Sequence, residues 1–176
     1  MGSAPGDPHV GPVLEATAVV WLKALLFTVV VPGTVLGLVP GLLLADGHGR
    51  APSALGLPDV LALLLGFAGA SLYAACLRSF VSIGRGTPAP LDPPRELVAA
   101  GPYRRVRNPM YVGVLAVVAA EAILFRSVTL AVYGGLLLLA FHLFVILYEE
   151  PHLRHRFGES YEQYLAAVPR WLPWRR

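Results

Sequence analysis

Ala24-Leu25-Leu26-Phe27-Thr28-Val29-Val30-Val31-Pro32-Gly33-Thr34-Val35-Leu36-Gly37-Leu38-Val39-Pro40-Gly41-Leu42-Leu43-Leu44-Ala45 runs for 22 residues without a charge. At about 1.5 Å per residue, a helix of that length covers a hydrocarbon core of about 30 Å. The stretch is too long for the apolar core of a signal peptide and no convincing small-residue cleavage site follows it. The sequence therefore predicts a retained first span over 24–45. Pro32-Gly33 and Pro40-Gly41 are expected to bend it. Composition agrees: of 176 residues 56% are hydrophobic and 14% charged, with a mean hydropathy of +0.62. Those values exclude a water-soluble globule and predict an all-α integral membrane protein.

Outward from this span, a second is expected over 60–83, with Arg78 near its end able to reach the headgroups. A third and fourth, over 110–125 and 128–149, are joined only by Arg126-Ser127, which makes a short helical hairpin whose first arm is brief for a full crossing. Small residues Gly134, Gly135 and Ala140 suit close helix packing there. The lone Cys76 can form no intramolecular disulfide and reads as a packed small residue. Residues 1–12 are rich in Gly, Pro and Ser and read as disordered, leaving a single domain over 13–176. Pro88, Pro90, Pro93 and Pro94 favour an extended strap between spans two and three. After the fourth span, Leu153, Phe157, Tyr161, Tyr164, Leu165 and Val168 recur at helical spacing opposite Arg154, Arg156, Glu159 and Glu162, the pattern of an amphipathic interfacial helix. Trp171 and Trp174 beyond it suit the interface as well.

Charge sets the expected orientation. Arg85, Arg95, Arg104, Arg105 and Arg107 crowd the segment between spans two and three, whereas the opposite loops carry only Arg50 and Arg126. The crowded side is expected to be cytoplasmic, with both termini on it. Formal net charge is only +3, but its concentration on one face favours anionic headgroups. Thirteen arginines against one lysine, with heavy use of Ala, Gly, Pro, Leu and Val, point to a GC-rich bacterial source and an inner-membrane location.

Two polar islands flank the hairpin: Gly101 to Tyr111 before it and Tyr148-Glu149-Glu150-Pro151 after it. Charges at the edge of hydrocarbon are costly unless an opposite charge meets them, so clustered arginines and paired carboxylates there suggest a bound ligand. Asn108-Pro109 has the form of an N-cap followed by proline at the first helical position. The open amides of that helix start, with Arg104, Arg105 and Arg107 nearby, also suit a carboxylate or phosphate. Glu149 and Glu150 close the fourth span, and Pro151 is expected to bend the chain at the pair. Adjacent carboxylates are not expected to share a helix face, so one would point inward while Glu150 pairs with Arg154 four residues on. His142, seven residues before Glu149, would sit two turns deeper on nearly the same face, lining a polar shaft or bonding a neighbouring backbone. Glu121, deep in span three, is expected to pair with Arg126 or share a proton. His152 and His155 lack a third ligand, so no metal is expected. P-loop, HExxH, CxxC and nucleophile-elbow motifs are missing.

Four blocks then carry a resemblance. Leu97-Val98-Ala99-Ala100-Gly101-Pro102-Tyr103-Arg104-Arg105-Val106-Arg107-Asn108-Pro109-Met110-Tyr111-Val112-Gly113, Glu149-Glu150-Pro151-His152-Leu153, Phe157-Gly158-Glu159-Ser160-Tyr161-Glu162-Gln163-Tyr164 and Val168-Pro169-Arg170-Trp171-Leu172-Pro173 stand in this order. In order and spacing they resemble the isoprenylcysteine carboxyl methyltransferase and phospholipid methyltransferase superfamily, over about Thr87 to Pro173. The resemblance implies an S-adenosylmethionine pocket over about 87–173, with a lateral opening for a lipophilic acceptor. Carried onto this chain, it implies that Val98, Gly101, Pro102 and Tyr103 contact the cofactor and that Asn108 and Tyr111 hold its amino-acid end. Glu149 and Glu150 would bind its cationic portion, with His142 below them. Many members of the superfamily have histidine where this chain has Asn108, which can donate to a carboxylate but does not titrate near neutrality. Glu150, keeping the acceptor unprotonated, and Arg107 are the candidate catalytic residues. Expected partners are membrane lipids and a lipophilic substrate, with no nucleic acid; oligomeric state is left open. Sterol-type NADPH-dependent reductases, which resemble the same C-terminal helices, and a non-catalytic lipid-binding scaffold are the alternatives.

Overall fold

The computed structural model describes residues 10–45, 47, 49–84 and 96–173, with side chains from residue 18 onward. The first nine residues, most of the proline-rich strap (85–95) and Trp174 lie outside the described residues. Among those described, every regular element is helical. Helix α1 (Val10–Gly33) passes through a π-helical turn (Thr34–Leu38) into α2 (Val39–Ala45), and α3 (Leu57–Ser82) follows. A 3-10 turn (Gly101–Arg104) leads to α4 (Pro109–Leu124) and α5 (Val128–Phe144). A second π-helical turn (Val145–Glu149) then joins α5 to α6 (Glu150–Phe157), and α7 (Glu159–Ala167) ends the series. Helix α1 thus begins inside the stretch that the sequence reads as disordered.

Three helices are long and apolar enough to cross a membrane: Ala18–Ala45, Leu57–Ser82 and Val128–Phe157. They turn side chains such as Val29, Phe67 and Leu136 outward, more than half exposed, as a lipid-facing surface does. With 16 residues α4 falls short of a full crossing. It lies between α3 and α5 and packs chiefly on α3. The three long helices make this an integral membrane protein; the fourth expected span is this shorter inner helix.

Both π-helical turns have the same cause in the sequence. Pro40 and Pro151 each sit at the second position of the helix after a π turn. A proline inside a helix donates no amide hydrogen and crowds the carbonyl four residues back. Those carbonyls belong to Leu36 and Leu147, each inside its π turn, where the wider winding makes room. Backbone groups loosened in this way take other partners, and the Tyr133 hydroxyl donates to the Val35 carbonyl at 3.0 Å. The expected break at Glu149-Glu150 is therefore absent: Glu149 and Glu150 are both right-handed helical and the helix continues to Phe157. It stops at Gly158, whose φ of 54° suits a residue without Cβ, so the expected single amphipathic helix is two short ones, α6 and α7.

Helices α3 and α4 approach most closely at two glycines. A Cβ on Gly69 would stand 2.6 Å from the Gly113 carbonyl oxygen, and one on Gly113 would stand 2.8 Å from that of Gly69. Small residues at a crossing let backbones touch in this way. The close packing expected of Gly134 and Gly135 holds for the first alone: a Cβ on Gly134 would stand 3.3 Å from Val118 Cγ1 of α4, whereas one on Gly135 would meet nothing within 4 Å. Across the bundle, Thr28 and Tyr73 share a hydrogen bond of 2.8 Å between α1 and α3. Ala24, Leu77 and Val81 form one buried cluster, and Cys76, Val98 and Tyr103 another.

At the far end of this pair, Asp59 is buried at the start of α3, accepting from the Gly56 amide at 2.9 Å and from Arg126 Nη2 at 3.1 Å. Of the two expectations for Glu121, pairing with Arg126 or sharing a proton, the structure corrects the first, since Arg126 is on Asp59. Arg126 has a φ of 49°, in the left-handed region, and the Ser127 amide reaches back to the Ala122 carbonyl at 3.0 Å. This closes α4 and sends the arginine toward the antiparallel start of α3. Glu121 Oε2 stays buried with no hydrogen-bond partner among the described residues.

Candidate functional site

A cavity of about 260 Å³ lies where the segment before α4, the first turn of α4 and helices α5 to α7 converge. Its polar groups come from both islands of the sequence. Arg107, Asn108 and Tyr111 line it from one side and Glu149 and Glu150 from the other, with Val98 and Tyr103 on a third wall. Gly101, Pro102 and His142 are not among its lining residues. Aromatic rings supply much of the remainder: Phe80, Phe144, Tyr148, Phe157, Tyr161 and Tyr164.

Both glutamates face this one cavity, contrary to the expectation that adjacent carboxylates point apart. The π turn reduces the angular step between successive side chains, so the cavity reaches Glu149 and Glu150 together. The same register shift removes His142 from below Glu149. Its Nδ1 accepts from Trp171 Nε1 at 3.2 Å, and its ring packs 6.1 Å from the indole.

The two carboxylates stand in different environments. Glu150 is 6% exposed and both of its oxygens are engaged. Arg170 Nε donates to Oε1 at 2.8 Å and Nη2 to Oε2 at 3.0 Å, a two-pronged clasp, while Arg107 Nη1 approaches Oε1 at 3.1 Å. The expected Glu150–Arg154 pair is absent, since Arg154 donates to Glu162 at 2.8 Å instead. Those bonds to Glu150 hold the Arg170 guanidinium above its ordinary pKa. Among the described residues Glu149 receives one hydrogen bond, from the Tyr111 hydroxyl at 2.9 Å. Tyr111 is held in turn by stacking on Phe141, centroids 4.6 Å apart.

Asn108 does not cap α4 with its side chain. It is buried, and its Nδ2 donates to the Arg170 carbonyl at 3.2 Å; the Arg107 and Asn108 amides donate to the Pro169 and Arg170 carbonyls at 2.9 and 3.3 Å. These bonds tie the segment before α4 to the chain after α7. In the first turn of α4, Pro109 has no amide hydrogen and the Val112 amide donates to the Asn108 carbonyl at 3.2 Å, so the amides without an acceptor from the cap are those of Met110 and Tyr111, which suit an anion. Tyr164 fastens the other wall, donating to the Tyr103 carbonyl at 2.7 Å, and Phe80 meets Tyr103 edge-on at 5.5 Å. Burial raises the phenols of Tyr103 and Tyr164 and pushes Tyr161 up to about 12, so these walls present neutral hydroxyls and ring faces.

What this arrangement can do follows from its parts. A partly buried carboxylate with one hydrogen-bond partner among the described residues, beside ring faces, suits a cation. Open helix amides at the opposite side suit an anion, so the cavity matches a zwitterionic or mixed-charge ligand.

Residues 86–160 match the family model described as phospholipid methyltransferase. This bears out over that stretch the resemblance read from the sequence, and membrane methyl transfer is the activity that the family carries. The matched stretch contains α4, α5, the second π turn and α6, and with them Arg107, Asn108, Tyr111, Glu149 and Glu150. Neither a curated protein nor a solved structure matches the chain.

Arg170, Tyr161 and Tyr164 were not singled out as site residues from the sequence. All three lie beyond the matched stretch. The signal for the tyrosines was the spacing of Leu153, Phe157, Tyr161 and Tyr164, which reads as a membrane-facing stripe but lines the cavity. Nothing in sequence spacing pairs Arg170 with Glu150, 20 residues away.

Proposed function

We propose that the protein transfers the methyl group of S-adenosylmethionine to a lipophilic acceptor delivered from the bilayer, on the face where its arginines are concentrated. The observation that carries this reading is the asymmetry of the glutamates: Glu150 is neutralised by two arginines, whereas Glu149 presents a carboxylate to an aromatic cavity with only a tyrosine hydroxyl attached. The family match to methyltransferases supports it independently.

In this reading Glu149 meets the cationic part of the cofactor, and ring faces such as Tyr161 and Phe157 add attraction for positive charge. The amides at the start of α4 hold the carboxylate end. Val98 and Tyr103 line the remaining wall, and Gly101-Pro102 shape the turn that carries Tyr103. Glu150 and Arg107 act by positioning: their pair, completed by Arg170, fixes the segment before α4 against α6. When bound, the cofactor would supply an electrophilic methyl group on a sulfonium, whose carbon–sulfur bond breaks as the acceptor–carbon bond forms and whose neutral thioether is the leaving group. The protein's part is alignment and exclusion of water, for which this packed aromatic enclosure is suited. A strong base is unnecessary if the acceptor arrives as an amine, thiolate or carboxylate.

The test is methyl transfer from S-adenosylmethionine labelled in its methyl group, using the full chain in nanodiscs of extracted membrane lipid. Label appearing in the organic phase is expected. Oxidation of NADPH with reduction of a lipid and no transfer of label would overturn the reading in favour of a reductase; absence of both would favour a scaffold.

A further inference from the structure

A second concavity lies behind the Arg107–Glu150–Arg170 cluster, between the segment ending at Arg107 and the stretch Leu165 to Pro173. It is an open groove of about 1140 Å³. Arg104, Arg105, Arg107 and Arg170 line it, and no acidic side chain is among its lining residues. Glu150, on the other side of the wall, compensates Arg107 and Arg170. Arg104 and Arg105 are exposed, and neither makes an ion pair among the described residues. Arg107 lines both concavities, and its buried Nε has no acceptor among the described residues.

The groove is held in shape before any ligand arrives. Its two walls are bonded to each other through the Arg107 and Asn108 amides and the Pro169 and Arg170 carbonyls. Trp171 and the exposed Leu172 give one edge an apolar face beside the arginines. Two uncompensated guanidiniums on a rigid wall, with an apolar rim and no acid, match a phosphate group of net negative charge. A zwitterionic headgroup is a poorer match, because no acidic side chain lines the groove and its cation would meet only the Trp171 ring.

We infer that this groove is an anionic phosphate site, distinct from the methyl-transfer cavity and held chiefly by Arg104 and Arg105. The phosphate is that of an anionic lipid headgroup or a free phosphate. The inference does not depend on the methyltransferase reading, since Arg104 and Arg105 lie outside that cavity.

The test titrates the full chain, in uncharged detergent, with short-chain phosphatidylglycerol, short-chain phosphatidylcholine and inorganic phosphate, following binding by thermophoresis. Phosphatidylglycerol is expected to bind about tenfold or more tighter than phosphatidylcholine, and the double variant Arg104→Gln, Arg105→Gln to lose about tenfold. The double variant to lysine should keep most of the affinity, which separates loss of charge from loss of fold. Thermal unfolding of both variants should match the parent, because both side chains are exposed. Weak binding of inorganic phosphate beside tight phosphatidylglycerol assigns the site to a lipid headgroup; equal binding of the two, lost together in the glutamine variant, assigns it to free phosphate. Equal affinity for the two lipids, or a glutamine variant that binds like the parent, would overturn the inference.

Discussion

The two ends of the α3–α4 pair are each held by an arginine on a buried carboxylate, and at one of them a mixed-charge cavity opens beside the pair. At the far end, one carboxylate meets one arginine: Asp59 takes the Gly56 amide and Arg126, and the hairpin turn closes over the pair. At the near end, two adjacent carboxylates share one wall. Arg107 and Arg170 satisfy Glu150, leaving Glu149 with a single tyrosine hydroxyl. A closed pair stabilises; a carboxylate left over beside a cavity can bind. The difference lies in one extra residue of winding, the π turn that brings Glu149 and Glu150 to the same cavity.

Substitutions can break that comparison at either end. The largest effect is expected from Glu150→Gln, which leaves Arg107 and Arg170 without a buried counter-charge. Stability should fall by about 2–3 kcal/mol, below the usual cost for a wholly buried pair because Arg170 is about a third exposed. Thermal unfolding in detergent measures this. Next comes Gly69→Val, which forces apart backbones already in contact. A loss of about 2 kcal/mol is expected, whereas Gly135→Ala, in open space, should cost nothing measurable by the same melt. Equal effects of the two would mean that α4 does not sit against α3 as described.

Tyr111→Phe removes the one hydrogen bond to Glu149 while keeping the ring stacked on Phe141. It should leave unfolding almost unchanged and weaken cofactor binding about tenfold, measured by titration with S-adenosylhomocysteine. Arg126→Gly is expected to destabilise less than Glu150→Gln. It removes the partner of Asp59 but relieves a left-handed backbone, and the arginine side chain is half exposed, so its melt should shift less than that of Glu150→Gln.

Much of this architecture was legible because the bilayer enforces it. Uncharged runs such as Ala24 to Ala45 have few alternatives, and the polar islands around Tyr111 and Glu149 stand out against them. What escaped was register. Pro151 reads as a bend because proline usually ends a helix, yet the wider winding over Val145 to Glu149 absorbs it and turns Glu149 and Glu150 to one side. The device recurs at Pro40 but not at Pro32, which lies inside α1 with no π turn before it, so a proline in an apolar run marks such a turn at some positions and not at others. Arg170 escaped for a different reason. Its pairing with Glu150 depends on how the chain after α7 returns to the segment before α4, which backbone bonds set and side-chain periodicity does not report.

The most direct test of the account is calorimetric titration of the detergent-solubilised protein with S-adenosylmethionine and S-adenosylhomocysteine, for the parent and for Glu149→Gln. The account predicts that the parent binds both compounds and that Glu149→Gln, with an unchanged melt, binds them at least about tenfold more weakly. Undiminished binding by the folded Glu149→Gln protein, or binding of NADPH in place of either adenosyl compound, would contradict it.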